Sequence, residues 1–290
     1  MNGNFSPEEV ALANRIGQVC YGQPGGDAPL ALAQIYDALA DVPHPLIDAM
    51  LQRLDGCRLL RLAIGGGSVH PTLKGKEAYE INAIAELAFG EAYIAHRYRR
   101  AVVHIVVHNP ADGQESGGTG FFTNQPANRI VTAKHVIQDR EIIRIEDANG
   151  AVVADHVGAI QLGAGSLDLA LIECPLPADV CPIRIEWREE VTRELDKVLI
   201  LGYPPFAGHH VGLLHASGQI NAKVLQLSEQ KRFSLMISVA APGCSGGPVI
   251  SEAGSALGVV SQENTLAQGN NAAPITFISA VLSCYLRDLI

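Results

Sequence analysis

Residues 241–250 read APGCSGGPVI. Ser245 stands in a run of small residues, with Gly243 upstream, Gly246 and Gly247 downstream, and an apolar strand beginning at Pro248. Gly243 lets the backbone turn so that its own amide and that of Ser245 point at one spot, the arrangement of an oxyanion hole. Gly246 and Gly247 keep side chains clear of that spot and let the chain drop into the strand. On turn chemistry alone the stretch also reads as an ordinary loop. Two other places in the chain decide between the readings.

An alkyl hydroxyl is a weak nucleophile at neutral pH, and it needs a base, a group that orients the base, and donors for the oxyanion. Upstream, RIVTAKHVI (129–137) sets His135 just behind an apolar run. SLDLALIEC (166–174) sets Asp168 at the head of an apolar strand, where a carboxylate has no packing purpose. The chain order is His, Asp, Ser. Cys244 is also a nucleophile by type. Neighbours on an extended turn diverge, so a thiol beside an outward Ser245 reads as packed beneath the loop.

From about residue 101 the chain is a series of short β-branched segments between turns, among them AVVHIVVH, EIIRIED, KVLILGY and RFSLMISVA. This rhythm predicts an antiparallel all-β sandwich or barrel. ISAVLSCYLRDLI (278–290) reads as a closing helix. The first hundred residues read as helices instead. SPEEVALANRIGQV opens with Ser6 as cap, Pro7 in the first turn and Glu9 three residues after the serine, a capping box. PLALAQIYDALA and HPLIDAMLQRLDG carry apolar residues three and four apart. CRLLRLAIGGGSVHPT (57–72) predicts a hairpin around Gly65, Gly66 and Gly67, and LKGKEAYEINAIAELAFGEAYIAHRY returns to helix. HRYRRA (96–101) is the junction. The expected class is an α+β multidomain chain, with a helical domain over 1–98 and an all-β domain over 101–290.

Together, GTGFF (118–122), IVTAKHVI, LDLALIE, GCSGGPVI and ALGVVSQ resemble the trypsin-like serine peptidases of the chymotrypsin fold, in the bacterial, HtrA-like branch. The resemblance implies two six-stranded barrels with a cleft between them, and peptide-bond hydrolysis through an acyl-enzyme. It makes His135 the general base, Asp168 its orienter and Ser245 the nucleophile, with the oxyanion hole at Gly243 and Ser245. It puts Val239 on the floor of the primary specificity pocket and Val260, Ser261 and Gln262 on the opposite wall. None of these is a carboxylate, so a small or medium apolar residue is expected before the cut. LLHASGQI (213–220) resembles a strand of the second barrel in that branch. Digestive trypsins carry an Asp where this chain has Cys244, which argues against activation by a freed N-terminus. The chain ends soon after its final segment, so the peptide-sensing PDZ domain of HtrA proteins is not expected. The helical half resembles a winged helix-turn-helix, with the triple glycine at the wing tip and HPLIDAMLQRLDG as its recognition helix.

Bulk chemistry narrows the partners. The net charge is -9, which disfavours general binding to nucleic acid or anionic lipid. Residues 1–98 hold 7 Lys/Arg against 11 Asp/Glu, a balance of 7 - 11 = -4, and a DNA reader needs a basic recognition helix. Apolar content of 48% with 18% charged residues marks a folded chain. No basic start leads into an apolar core and no apolar run is long enough for a membrane span, so neither export nor insertion is expected. Six scattered cysteines without a CxxC pair read as reduced thiols in a cytoplasmic protein. His104 and His108, like His209 and His210, have no third ligand nearby in sequence, so no metal and no cofactor is expected. The expected function is an intracellular serine endopeptidase acting on proteins or peptides, with residues 1–98 as an adaptor for a regulatory partner. The alternative is a DNA-binding winged-helix regulator whose peptidase-like half is a sensor or self-cleaving switch.

Overall fold

The computed structural model describes residues 5–23, 28–65, 67–204, 212–225, 233–237, 244–266 and 275–290. The chain divides into two compact units, Met1–Ile94 and Ala95–Ile290.

The first unit runs α1 (Pro7–Tyr21), β1 (Leu30–Ala31), α2 (Leu32–Ala38), α3 (His44–Gly56), β2 (Leu60–Leu62), β3 (Ser68–Pro71), α4 (Leu73–Glu80) and α5 (Ile84–Phe89). The capping box forms: the Ser6 hydroxyl accepts the Glu9 N–H, and the Ser6 N–H donates to the Glu9 carboxylate at 2.7 Å. β1, β3 and β2 make a small antiparallel sheet in that order. Leu12, Ile16, Ile35, Ile47, Leu51, Leu54 and Ile84, on the inward faces of helices, form one core with Leu59 and with Val69 of β3. The long helical stretch expected after residue 73 is broken into α4, α5 and α6 (Glu91–Tyr98), which runs across the unit boundary. Asn82 and Gly90 interrupt it with φ of 54° and 70°, outside the helical range.

The second unit is built on two seven-stranded sheets. The first comprises β4 (Val102–His108), β5 (Glu115–Thr123), β6 (Arg129–Thr132), β7 (Glu141–Glu146), β8 (Val152–Ala154), β9 (Ile160–Leu162) and β10 (Ala170–Glu173), with the one-turn helix α7 (Lys134–Ile137) after β6. The second comprises β11 (Arg184–Ile185), β12 (Lys197–Gly202), β13 (Leu214–Leu225), β14 (Phe233–Ile237), β15 (Pro248–Ser251), β16 (Ser255–Leu266) and β17 (Ile275–Leu282). In the second sheet β16 also pairs with β17, closing a ring of six strands, and β11 adds in parallel outside it. Val198, Ile200, Ile220, Leu235, Val249 and Ile278 fill that barrel.

The first sheet departs from the expected six-stranded barrel. Its order is β8-β7-β4-β5-β6-β10-β9, and its end strands do not pair among the described residues. Each is only three residues long and exposes Val152, Ile160 and Leu162, which offers little ladder for closure. The closing helix expected over 278–290 is also corrected. Residues to Leu282 continue β17, because their β-branched side chains fit the barrel wall, and Ser283–Leu289 form a 3-10 turn. No described helix is long and apolar enough to cross a membrane.

Candidate active site

β6 delivers the chain to Ala133, and α7 turns it sharply. Val136 and Ile137 anchor this turn in the interior, so His135, one position earlier, is left half-exposed. Asp168 sits in the loop between β9 and β10, flanked by the buried Leu167 and Leu169. Alternation along an extended segment turns it the opposite way from both. Its carboxylate grips the histidine twice. One oxygen accepts the His135 backbone N–H at 2.9 Å, and the other meets the ring Nδ1 at 2.8 Å. A carboxylate only accepts, so Nδ1 carries the hydrogen and the neutral ring offers its Nε2 lone pair.

A third donor reaches the same carboxylate. The Ser261 hydroxyl, on β16, bonds to the Asp168 oxygen that also meets Nδ1. Burial is the largest influence on Asp168 and pushes its carboxyl up. The hydrogen bonds from His135 and Ser261, with the nearby imidazole, outweigh burial and hold the group below the ordinary aspartate range.

Ser261 also faces the opening stretch of sequence. Its carbonyl accepts the Ser245 hydroxyl at 3.2 Å. Ser245 is held by its neighbours' main chain. Gly247 N–H bonds to Cys244 C=O at 2.8 Å, Gly246 N–H to Val260 C=O at 2.7 Å, and Val260 N–H to Gly247 C=O at 2.8 Å. The Ser245 carbonyl accepts the Thr119 N–H of β5 at 2.8 Å. Gly246 has φ of +87°, and a Cβ there would lie 2.0 Å from the Thr119 carbonyl oxygen and 2.3 Å from Thr132 Oγ1. Only glycine fits so close an approach in the left-handed region. Thr132 Oγ1 in turn donates to the Thr119 carbonyl at 2.7 Å, three residues before His135. The serine loop of the closed barrel is thus stitched to the strands that lead to the histidine.

The structure joins His135 to Asp168 directly, and Asp168 to Ser245 through Ser261. Among the described residues no hydrogen bond links the Ser245 hydroxyl to His135, and the Ser245 backbone N–H meets no acceptor. Cys244 is fully buried against Gly202, and burial pushes its thiol up to about 11. All six cysteines are free.

Other expected positions fare differently. Gly243 and Val239 lie outside the described residues, as do His209, His210 and the side chain of Gln262. Val260 packs in the barrel core, and its N–H and C=O are both taken by the serine loop. Ser261 is turned toward Asp168, a role its sequence position did not announce. The available signal was a serine ending the apolar run ALGVVS, where a buried hydroxyl must find a partner. Thr119 and Thr132, both fully buried, carried the same signal. Elsewhere, His104 is buried beside Glu146 at 3.3 Å, and no group of metal-binding side chains occurs among the described residues. Trp187 donates its indole N–H to the side chain of Gln125, in the turn after β5, at 3.0 Å. In the junction segment, Arg100 pairs with Asp179 and Arg97 donates to Cys181 at 3.3 Å.

Residues 118–259 match the trypsin-like peptidase domain family. Among solved structures the chain is similar to a serine endoprotease from Yersinia pestis, at 22% identity and a TM-score of 0.47, over 67% of this chain and 63% of that one. It is also similar to a protease from M. tuberculosis solved in its active form, at 20% identity and a TM-score of 0.52, over 68% of this chain and 82% of that one. The chain therefore spans less than two thirds of the Yersinia protein, and at these identities the likeness is one of fold. No curated protein sequence matches the chain.

Proposed function

We propose, on the premise that this chain carries a trypsin-like peptidase domain, that it is a serine endopeptidase with Ser245 as nucleophile, His135 as general base and Asp168 as orienter. The observation that carries the reading is that His135 bonds Asp168 directly and that Ser261 touches both remaining members, its hydroxyl on Asp168 and its carbonyl on the Ser245 hydroxyl. In the reaction, rotation about χ1 swings the Ser245 hydroxyl from the Ser261 carbonyl toward Nε2 of His135. The hydroxyl oxygen attacks the scissile carbonyl as its proton passes to Nε2, and Asp168 stabilises the imidazolium. The tetrahedral oxyanion takes the free Ser245 N–H and the Gly243 N–H. Collapse passes the proton to the leaving amine, and water repeats the sequence to release the acyl group. No side chain in this scheme requires a metal or cofactor.

The first unit serves as an adaptor of winged-helix type for a regulatory protein. Its order α1–β1–α2–α3–β2–β3 supports the winged-helix reading. Its α3 supports a protein partner over DNA. Asp48 accepts from Tyr36, Asp55 accepts the Leu62 N–H, and the single basic side chain, Arg53, lies 4.7 Å from the Phe89 ring centre. Such a helix brings no cationic face to a phosphate backbone. Six free thiols support a reducing, cytoplasmic setting. The test is covalent labelling with a fluorophosphonate followed by peptide mapping. Label is expected on Ser245, with more than about a thousandfold loss of turnover in Ser245→Ala, since triad members act as a unit. A wild-type protein that takes no label, or takes it at another residue, overturns the assignment.

A further inference from the structure

The residue next to the histidine has an unusual task. Lys134 reaches out of α7 and donates its ammonium to two main-chain carbonyls of the loop that carries Asp168, Gly163 at 3.0 Å and Gly165 at 2.9 Å. That loop is short and closed on itself. Gly163 N–H bonds to Leu169 C=O at 2.8 Å and Leu167 N–H to Ala164 C=O at 3.1 Å. Asp168 lies inside the closure, and its carboxylate returns to the N–H and Nδ1 of His135. Two adjacent residues therefore hold opposite sides of one loop: His135 takes its carboxylate and Lys134 takes its turn.

We infer that Lys134 is a positioning residue for the His135–Asp168 pair, clamping the Asp168 loop against the base-bearing turn. The bonds from His135 and Ser261 all converge on one carboxylate, which fixes that side chain but leaves the rest of the loop free to pivot about it. A second contact several residues away removes the pivot. Charge-assisted bonds to carbonyls are stronger than neutral ones, and an ammonium on a four-carbon stem spans the gap. The effect reaches catalysis through geometry, because misplacement of a catalytic pair by about 1 Å can cost about a hundredfold. This inference rests on the peptidase reading, and its test separates the two.

Lys134→Gln, Lys134→Met and Lys134→Arg are compared with wild type by fluorophosphonate labelling, melting temperature and the proton resonance of the His135 Nδ1–H. Lys134→Gln is expected to lower the maximal labelling rate about tenfold to a hundredfold with the inactivator's affinity unchanged, and to broaden the resonance. Lys134→Arg, which restores charged donors, is expected to recover labelling to within about threefold. Wild-type labelling in Lys134→Gln with a sharp resonance overturns the inference, as does a loss in Lys134→Arg equal to that in Lys134→Gln. Should Lys134→Gln not fold, Lys134→Met keeps the aliphatic stem and carries the same comparison. If neither folds, the lysine is structural and the inference fails. Absence of label in wild type defeats the peptidase reading, while the resonance still reports whether Lys134 holds the pair.

Discussion

The two halves of the second unit hold the proposed catalytic groups by different means. The open sheet supplies His135 and Asp168 from a one-turn helix and a short loop, and side chains make the connections between them. The closed barrel supplies Ser245 from a turn held by main-chain bonds, one within the turn from Gly247 to Cys244 and others to Val260 and Thr119. The difference follows from closure. A ring of six paired strands fixes its turns through the ladder. A sheet with two unpaired edges leaves its loops to be fixed by what their side chains can reach. Substitutions in the first region should therefore damage chemistry while sparing the fold, and substitutions in the second should damage the fold itself.

The largest expected effect is that of Asp168→Asn. It keeps the shape of the side chain and removes the acceptor that fixes the imidazole tautomer, so turnover on a peptide substrate should fall about ten-thousandfold. The melting temperature at neutral pH should move little by comparison. Because the folded carboxyl lies below its ordinary value, its contribution to stability is fully present above the unfolded pKa of about 3.9. That contribution is lost as pH falls through the folded pKa. Urea titrations should therefore show the stability gap between wild type and Asp168→Asn narrowing only below about pH 4. A gap that narrows between pH 5 and 7 would contradict the hydrogen-bonding pattern assigned to this carboxylate.

Gly246→Ala probes the other half. The left-handed backbone costs about 1–2 kcal/mol for a residue with a Cβ, and the contact with Thr119 and Thr132 adds about 1–3 kcal/mol of overpacking. A loss of about 3 kcal/mol should lower the melting temperature by roughly 6–12 °C in a unit of this size. If Asp168→Asn unfolds the protein as readily as Gly246→Ala does, the contrast between the two halves collapses. The smallest effect belongs to Cys244. Iodoacetamide at pH 8 should leave this thiol unmodified in the folded protein, since burial holds it protonated at about 11 and out of reach. Rapid alkylation with the fold intact would mean that the serine turn is far looser than its hydrogen bonds imply.

Much of the candidate site was proposed from residue order before any coordinates. Residue types needed for acyl transfer occur in a telling order, each beside an apolar run that fixes its strand end, and the Ser6–Glu9 cap was readable because its partners lie three residues apart. The helix expected over 278–290 and the closure expected of the first sheet failed for one shared reason. Whether a short apolar segment continues a ladder depends on which strand lies beside it, and local periodicity carries no record of that neighbour.

The sequence alone determined the kinds of groups available, the turns that expose them and the alternation that separates core from surface. Tertiary structure decided which of them meet. Ser261 reaches Asp168 across 93 residues of chain, Thr119 reaches the Ser245 carbonyl across two sheets, and Val260 holds the serine loop from the barrel core. The physical reason is one of range. Turn and capping chemistry act over three or four residues, whereas these convergences depend on strand register and barrel closure, which are set by the packing of the whole unit.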